Sequence, residues 1–495
     1  MMMKDWLANQ AAISPDQLAL KFQDQTWNYR QLDDWAAQTA ARLSALGVRP
    51  GAHVGLLLAN QPVYIALIHA LAKVGAVLVP LNTRLTGREI CWQVENGGCR
   101  FLIHDQDERQ PEFDLPEQVS QIAVGALAPD PADQPVESRE IRADDLQGIY
   151  FTSGTTGFPK GAQISYGNLA WSAAASAYRL GLHAHDRWLL AMPLYHIGGQ
   201  AIVFRACQYG LPIILHEKFE AAAVYASLAS DRATLVSLVP TMLARMLDIF
   251  AGQGIPGSLR VVLLGGAGAP KSLLDQALQL GLPLSLTYGL TEAASQVATT
   301  TPEETRNKPG CAGKPLMFTQ VEIRGESGAR LPVMQTGEIV IGGPSLFHGY
   351  YRHGERGARP QDYATGDLGY LDDDGDLWVV GRRADLIVCG GENIYPLEIE
   401  NILKQYPGAG QVCVVGLPDE EWGQRVAALI VPDGERFSLD DLLEFARPML
   451  AAYKLPRELI FVPELPYTAS GKLKRLEALE QLTSARQPLM ENGSK

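Results

Sequence analysis

The run Tyr150-Phe151-Thr152-Ser153-Gly154-Thr155-Thr156-Gly157-Phe158-Pro159-Lys160-Gly161 places three glycines, four small hydroxyl residues and one lysine within twelve positions. Glycines let successive backbone N–H groups turn toward one point, hydroxyls donate, and Lys160 adds positive charge, so this loop can cradle an anion. It is not the G-x-x-x-x-G-K-[ST] nucleotide loop, which occurs nowhere in the chain. Ser, Thr and Gly also fill ordinary surface loops; Pro159 and Lys160 at fixed places tip the reading toward phosphate. Thr291-Glu292 sets a carboxylate beside a hydroxyl, a donor set suited to a hard, oxygen-seeking cation. Gly265-Gly266-Ala267 follows an apolar run, Val261 to Leu264, and offers bare backbone to a flat ring. His196, in Pro193-Leu194-Tyr195-His196-Ile197-Gly198-Gly199-Gln200, reads equally as a packed histidine or as a group lining a pocket, and no metal-ligand spacing surrounds it.

In type and order these stretches resemble the adenylate-forming superfamily of acyl-CoA synthetases, nonribosomal adenylation domains and firefly luciferase, and the likeness runs from about residue 20 to Lys472. The resemblance implies ATP, Mg²⁺ and coenzyme A as cofactors and co-substrate, and a small-molecule carboxylate as the acid. It assigns Thr152, Ser153, Gly154, Thr155, Thr156 and Lys160 to the phosphates, and Gly265, Gly266 and Ala267 to the purine. In Tyr288-Gly289-Leu290-Thr291-Glu292 it implies that Tyr288 stacks on adenine, Thr291 contacts the α-phosphate and Glu292 holds Mg²⁺ as the metal ligand. Asp367, in Thr365-Gly366-Asp367, is expected to take both ribose hydroxyls, as an acceptor-only carboxylate can. Arg382, in Gly381-Arg382-Arg383-Ala384-Asp385, is expected at the ribose and phosphate, and Gly390 and Gly391 of Gly390-Gly391-Glu392-Asn393 in the thiol channel. Lys472, closing Leu465-Pro466-Tyr467-Thr468-Ala469-Ser470-Gly471-Lys472, matches the family's catalytic lysine. Alone, Glu292 reads as a solvated carboxylate, Asp367 as a turn residue and Lys472 as a solvated cation; the shared order changes those readings.

The chemistry follows from charge. A carboxylate attacking an anionic α-phosphate gathers negative charge, which Lys472, Arg382, Thr291 and Mg²⁺ would offset. A thiol then displaces AMP, and the resemblance implies that a C-terminal domain rotates between the two steps. The family's hinge position, often Asp or Lys, falls on Ala384 here.

Longer matches, Ser165-Tyr166-Gly167-Asn168 to Leu182, Asp186-Arg187-Trp188-Leu189, Pro193 to Arg205 and Tyr288 to Gln296, resemble the o-succinylbenzoate:CoA ligases of menaquinone biosynthesis. That branch activates one carboxylate of an aromatic diacid, so the other needs a partner. Arg205 or Lys218 can supply charge, Ser295 and Gln296 hydrogen bonds, and His196 and Gly198 line the acyl pocket. Lys218 reads better as a surface charge, and Gly198 stands where the family often has Ser. The alternatives are a fatty or aryl acyl-CoA synthetase, with an apolar tunnel and no second cation, and, in another class, a non-catalytic nucleotide-binding protein. The joint presence of Lys472, Glu292 and Asp367 argues against the latter.

The elements that must position these groups alternate in period. Leu32, Trp35, Ala36, Leu43 and Leu46 form a helical stripe that Gly47 can stop; His53 to Leu58 and Ala76 to Val79 read as strands around a helix from Pro62 to Val74. Residues 104 to 146 read as a surface excursion. Strands follow at 146–151, 188–191, 213–215, 235–238 and 261–264, with a helix over 241–250. A strand-rich stretch from Gly310 to Val380 turns at Asp372 to Gly375. After Arg383, Pro396 opens a helix carrying Ile399, Ile402, Leu403 and Tyr406, and a strand covers 412–415. Taken with the resemblance, the predicted fold class is α/β: a large N-terminal region of layered sheets with a small distorted β-barrel-like part (1–383), then a smaller mobile α+β C-terminal domain (384–495).

Composition bounds the function. The 495 residues hold 46% hydrophobic and 20% charged side chains, as in a soluble globular protein of more than one domain. With 42 Lys+Arg against 55 Asp+Glu, the net charge of −13 speaks against nucleic acid as a partner. Six scattered cysteines without a C-x-x-C pair read as reduced thiols, and no apolar leader or membrane span is evident; a cytoplasmic protein is expected.

Overall fold

The computed structural model describes residues 2–105, 115–130, 139–152, 159–269, 271–325, 327–352, 357–382, 387–394 and 396–466, with 132–134, 136, 475, 477–479 and 482 beside them. The chain divides into two compact units. The first holds described residues of 2–83, 91–152 and 160–380; the second holds 84–90, Pro159 and the described residues from Gly381 on.

Two large sheets, a smaller one and a two-stranded pair of Met2–Met3 with Ile141–Arg142 build the first unit. One runs in the order Lys160–Ser165, Leu146–Thr152, Val77–Pro80, His53–Leu57, Cys99–His104 and Ser120–Ala123, all parallel except the first pair. The other has parallel strands Leu284–Leu290, Val261–Leu264, Leu235–Leu238, Trp188–Leu190, Ile213–Leu215 and Leu18–Phe22 at its centre and antiparallel strands at both edges. Crossover helices cover parallel strands, which is why those strands read as continuous apolar runs. The helix Pro62–Val74 is buried at every position from Tyr64 to Ala72, and its side chains join a core shared by residues of both sheets. A helix apolar all round has no solvent face to offer and must lie inside.

The third sheet, Gln320–Arg324, Gly337–Gly342, Asp362–Leu371 and Leu377–Arg382, is curled like half a barrel, as the expected barrel-like part required. It turns at Asp372 to Gly375, where Gly375 adopts φ +77°. The second unit carries a sheet of Glu392–Ile394, Ile387–Cys389, Gly423–Pro432 and Ala409–Asp419, with Glu458–Phe461 parallel to Gly423–Pro432, and the helix Pro396–Leu403 against it.

The expected helices and strands form, usually one or two residues from the expected ends. The excursion is the exception: Ser120–Ala123 is the edge strand of the first sheet. Among the described residues no helix is long and apolar enough to cross a membrane.

Candidate active site

The strand Leu146–Thr152 and its antiparallel neighbour Lys160–Ser165 form two legs on either side of the hydroxyl-rich run. Their register sets Thr152 directly opposite Lys160, so the legs deliver a hydroxyl and a cation to the same level. Ser153, Gly154, Thr155 and Thr156 lie outside the described residues, as does Lys472. Behind the hairpin, Ser165 and Asn168 cap the helix Tyr166–Leu180 reciprocally. The buried Asn168 amide also donates to the carbonyls of Pro344 and Leu346, at 3.0 and 2.8 Å, fixing the approach to Tyr350.

Glu292 sits in the single turn Thr291–Ala293 after the strand Leu284–Leu290 and is 7% exposed. Its Oε1 accepts from the Tyr350 hydroxyl at 2.7 Å, with Thr152 Oγ1 at 3.5 Å. Among the described residues Glu292 meets no Lys or Arg, so this buried carboxylate lacks a protein cation; the donor set fits Mg²⁺. The Lys160 ammonium lies 5.4 Å over the Tyr350 ring. Burial and the Glu292 charge push the Tyr350 phenol well above its ordinary range, so it stays a donor. Asp372, Asp374 and Asp376 also stand close enough together for a metal, but the Lys308 ammonium meets all three at 2.6–2.8 Å.

Tyr288 and Asp367 come together. The Tyr288 hydroxyl donates to Asp367 Oδ2 at 2.7 Å, linking the second large sheet to the curled one. Asp367 is 2% exposed, and its N–H is tied to Thr365 Oγ1 at 3.1 Å. A bulge between Tyr288 and Gly289 re-aims the tyrosine. Gly289 has no alternative, since a Cβ there would stand 1.9 Å from the Ser295 carbonyl oxygen. Gly265 lies against the next strand, where a Cβ would stand 2.5 Å from the Thr287 Cγ2 methyl and 3.0 Å from its carbonyl oxygen; Gly266 and Ala267 continue this half-exposed turn.

His196 precedes the helix Ile197–Tyr209, with its ring against Tyr195 at 4.6 Å. Gly198 has open space, its nearest neighbour on adding a Cβ being Met192 Cε at 3.7 Å. Arg205, two turns on, is 2% exposed and pairs with no carboxylate among the described residues. Its Nη2 reaches Ser172 Oγ at 3.3 Å, its guanidinium lies 5.9 Å from the Trp188 ring, and its Nε has no partner. Ser172 in turn donates to the Ala294 carbonyl at 2.8 Å, which puts Arg205 beside the segment carrying Ser295 and Gln296. Burial presses the Arg205 pKa down. Ser295 is held at φ +105°, a strained backbone for a non-glycine residue, and Gln296 is buried with its amide nitrogen on Thr299 at 3.1 Å and its Oε1 unpartnered. Lys218 is exposed and pairs with Glu220, as its reading as a surface charge required.

Arg382 ends the strand Leu377–Arg382, and its side chain lies outside the described residues. Gly390 and Gly391, in the second unit, form the two-residue turn of the hairpin between Ile387–Cys389 and Glu392–Ile394, with φ +58° and +83°. Four residues of consequence escaped the sequence reading: Phe347, Tyr350, Tyr363 and Ser172. The doublet Tyr350-Tyr351 after Gly349 was the only trace of them.

A paired hydroxyl and lysine, a buried carboxylate suited to a cation and a tyrosine–aspartate pair joining two sheets are the parts of an AMP-forming acid–thiol ligase. The chain belongs to the AMP-binding enzyme family: that family's model matches residues 7–351, and the model of the AMP-binding enzyme C-terminal domain matches 398–472. The chain is 38% identical over 483 residues to a 2-succinylbenzoate–CoA ligase of Bacillus cereus, covering 97% of this chain and 98% of that one. It is also similar to a double mutant of o-succinylbenzoate CoA synthetase from Bacillus subtilis bound with a product analogue, at TM-score 0.91 and 35% identity, covering 96% and 98% of the two chains. The same synthetase in complex with ATP and magnesium ion matches at TM-score 0.74 and 35% identity, covering 96% and 99%.

Proposed function

We propose that this enzyme joins 2-succinylbenzoate to CoA at the expense of ATP, releasing pyrophosphate and AMP, through an acyl-adenylate and in the service of menaquinone synthesis. The observation that carries the substrate assignment is Arg205: a buried guanidinium with no carboxylate partner among the described residues. An uncompensated cation in the interior costs several kcal/mol, so it is kept where a ligand completes it. The ring carboxylate of the diacid is that ligand, with Ser295 donating beside it, Gln296 next along the same strand, and His196 and Gly198 bounding the acyl chain.

Catalysis begins with the succinyl carboxylate attacking the α-phosphorus and pyrophosphate leaving. Thr152, Ser153, Gly154, Thr155, Thr156 and Lys160 hold the phosphates; Tyr288, Gly265, Gly266 and Ala267 take the adenine; Asp367 takes the ribose. Glu292 would hold Mg²⁺, which when bound supplies positive charge to the phosphate oxygens. Lys472, Arg382 and Thr291 offset the charge at the α-phosphate. In the second half-reaction the CoA thiolate attacks the acyl carbon and AMP leaves, with Gly390 and Gly391 lining the thiol's path. The six cysteines are all free, in keeping with work in the cytoplasm.

The test supplies Mg-ATP and CoA with 2-succinylbenzoate, benzoate or octanoate, and follows pyrophosphate and thioester. Turnover with 2-succinylbenzoate at least about a hundredfold above the others supports the assignment, given what a desolvated charge pair contributes. Preference for octanoate or benzoate would overturn the substrate. Absence of pyrophosphate with every acid would overturn the activity itself.

A further inference from the structure

Glu292 is held by more than its own strand. Its Oε1 accepts from Tyr350 Oη at 2.7 Å, and Tyr350 Oη lies 2.8 Å from Tyr363 Oη. A carboxylate can only accept, so the Tyr350 proton points at Glu292 and the Tyr350 oxygen must receive the proton of Tyr363. This gives a one-way chain, Tyr363 to Tyr350 to Glu292. The rings cannot drift, because Phe347 packs edge-on against both, at 5.0 Å and 74° to Tyr350 and 5.2 Å and 77° to Tyr363. The same segment grips the backbone: Phe347 N–H donates to the Glu292 carbonyl at 2.8 Å. Tyr350 bridges to Ala162 and Tyr351 N–H donates to the Gly161 carbonyl at 2.7 Å, so the segment is also fastened to the strand that begins at Lys160.

We infer that Tyr350 is a positioning residue for the cation-binding carboxylate, locking Glu292 Oε1 so that Oε2, which makes no protein hydrogen bond among the described residues, is presented to the metal. This inference rests on the reading of Glu292 as the Mg²⁺ ligand. A carboxylate fixed by one oxygen has lost most of its rotational freedom before the ion arrives, and the ordering cost falls on folding rather than on binding. The aromatic cluster therefore supports the metal site through Glu292.

The test compares the full-length enzyme with Y350F and E292Q. Two quantities are measured: the Mg²⁺ dependence of pyrophosphate release, and ATP binding by calorimetry with Mg²⁺ and in EDTA. Y350F keeps the ring and its packing but leaves Glu292 free to rotate. Its half-saturating Mg²⁺ should rise about tenfold, a typical effect for a supporting partner of a metal ligand. Its affinity for metal-free ATP should match the wild type, and E292Q should raise the Mg²⁺ requirement further still. If E292Q shifts the Mg²⁺ dependence and Y350F does not, Tyr350 has no positioning role. If Y350F weakens ATP equally with and without Mg²⁺, its part is packing and the inference fails. If E292Q leaves the Mg²⁺ dependence unchanged, the reading of Glu292 fails and carries this inference with it.

Discussion

Tyr288 donates a hydrogen bond to Asp367 at 2.7 Å across 79 positions of sequence. The bond joins the strand Leu284–Leu290 to the strand Asp362–Leu371, and so ties the residue proposed for adenine to the residue proposed for ribose. Tyr288→Phe keeps the ring and removes the bond. Loss of one charge-assisted hydrogen bond, about 1.5–3 kcal/mol, should raise the KM for ATP roughly tenfold or more, with little change in kcat. Asp367→Ala should do more, because it also removes the acceptor for the ribose. Initial rates against ATP concentration at saturating acid check both, and equal KM values for Y288F and the wild type would show that the bond is incidental.

Gly198 and Gly199 stand side by side yet differ in what surrounds them. A Cβ on Gly199 would lie 2.4 Å from the Pro193 carbonyl oxygen, whereas one on Gly198 meets nothing nearer than 3.7 Å. Gly199→Ala should destabilise the fold by about 1–3 kcal/mol, the usual cost of overpacking. Gly198→Ser should leave the melting temperature unchanged and alter only the acyl substrate's KM. Thermal unfolding of both variants distinguishes these outcomes.

Acid should weaken the fold through His69. The side chain is buried on the helix Pro62–Val74, and desolvation lowers its pKa from 6.5 to about 4. In that window the unfolded chain binds a proton that the folded chain refuses. His69 therefore favours the fold fully above pH 6.5, and its contribution is lost as pH falls toward 4. The loss should reach about 2 kcal/mol at pH 5 relative to pH 8. Urea titrations across that range should show a shallower decline for His69→Gln than for the wild type, and parallel curves would refute the assignment.

Thr152, Lys160, Tyr288, Glu292 and Asp367 were legible as candidates, because each stands in a short run whose residue types and order resemble the family's. They did not reveal the cluster of Phe347, Tyr350 and Tyr363, since the meeting of these rings depends on how the curled sheet returns toward Glu292. The strand Ser120–Ala123 escaped for a different reason. It is a four-residue edge strand with one buried side chain, Ile122, too little apolar period to distinguish from a loop. Arg205 was legible as a cation facing a possible diacid. Its burial without a carboxylate partner, which makes it informative, exists only in three dimensions.

The most direct measurement compares wild type and Arg205→Met on two acids, 2-succinylbenzoate and 4-oxo-4-phenylbutanoate, which lacks the ring carboxylate. Met fills similar volume without charge, so the variant should fold at least as stably as the wild type. Its kcat/KM for 2-succinylbenzoate should fall about a hundredfold or more, while that for the monoacid should stay the same or rise. An equal fall for both acids, or no fall for either, would contradict the account of Arg205 as the partner of the second carboxylate.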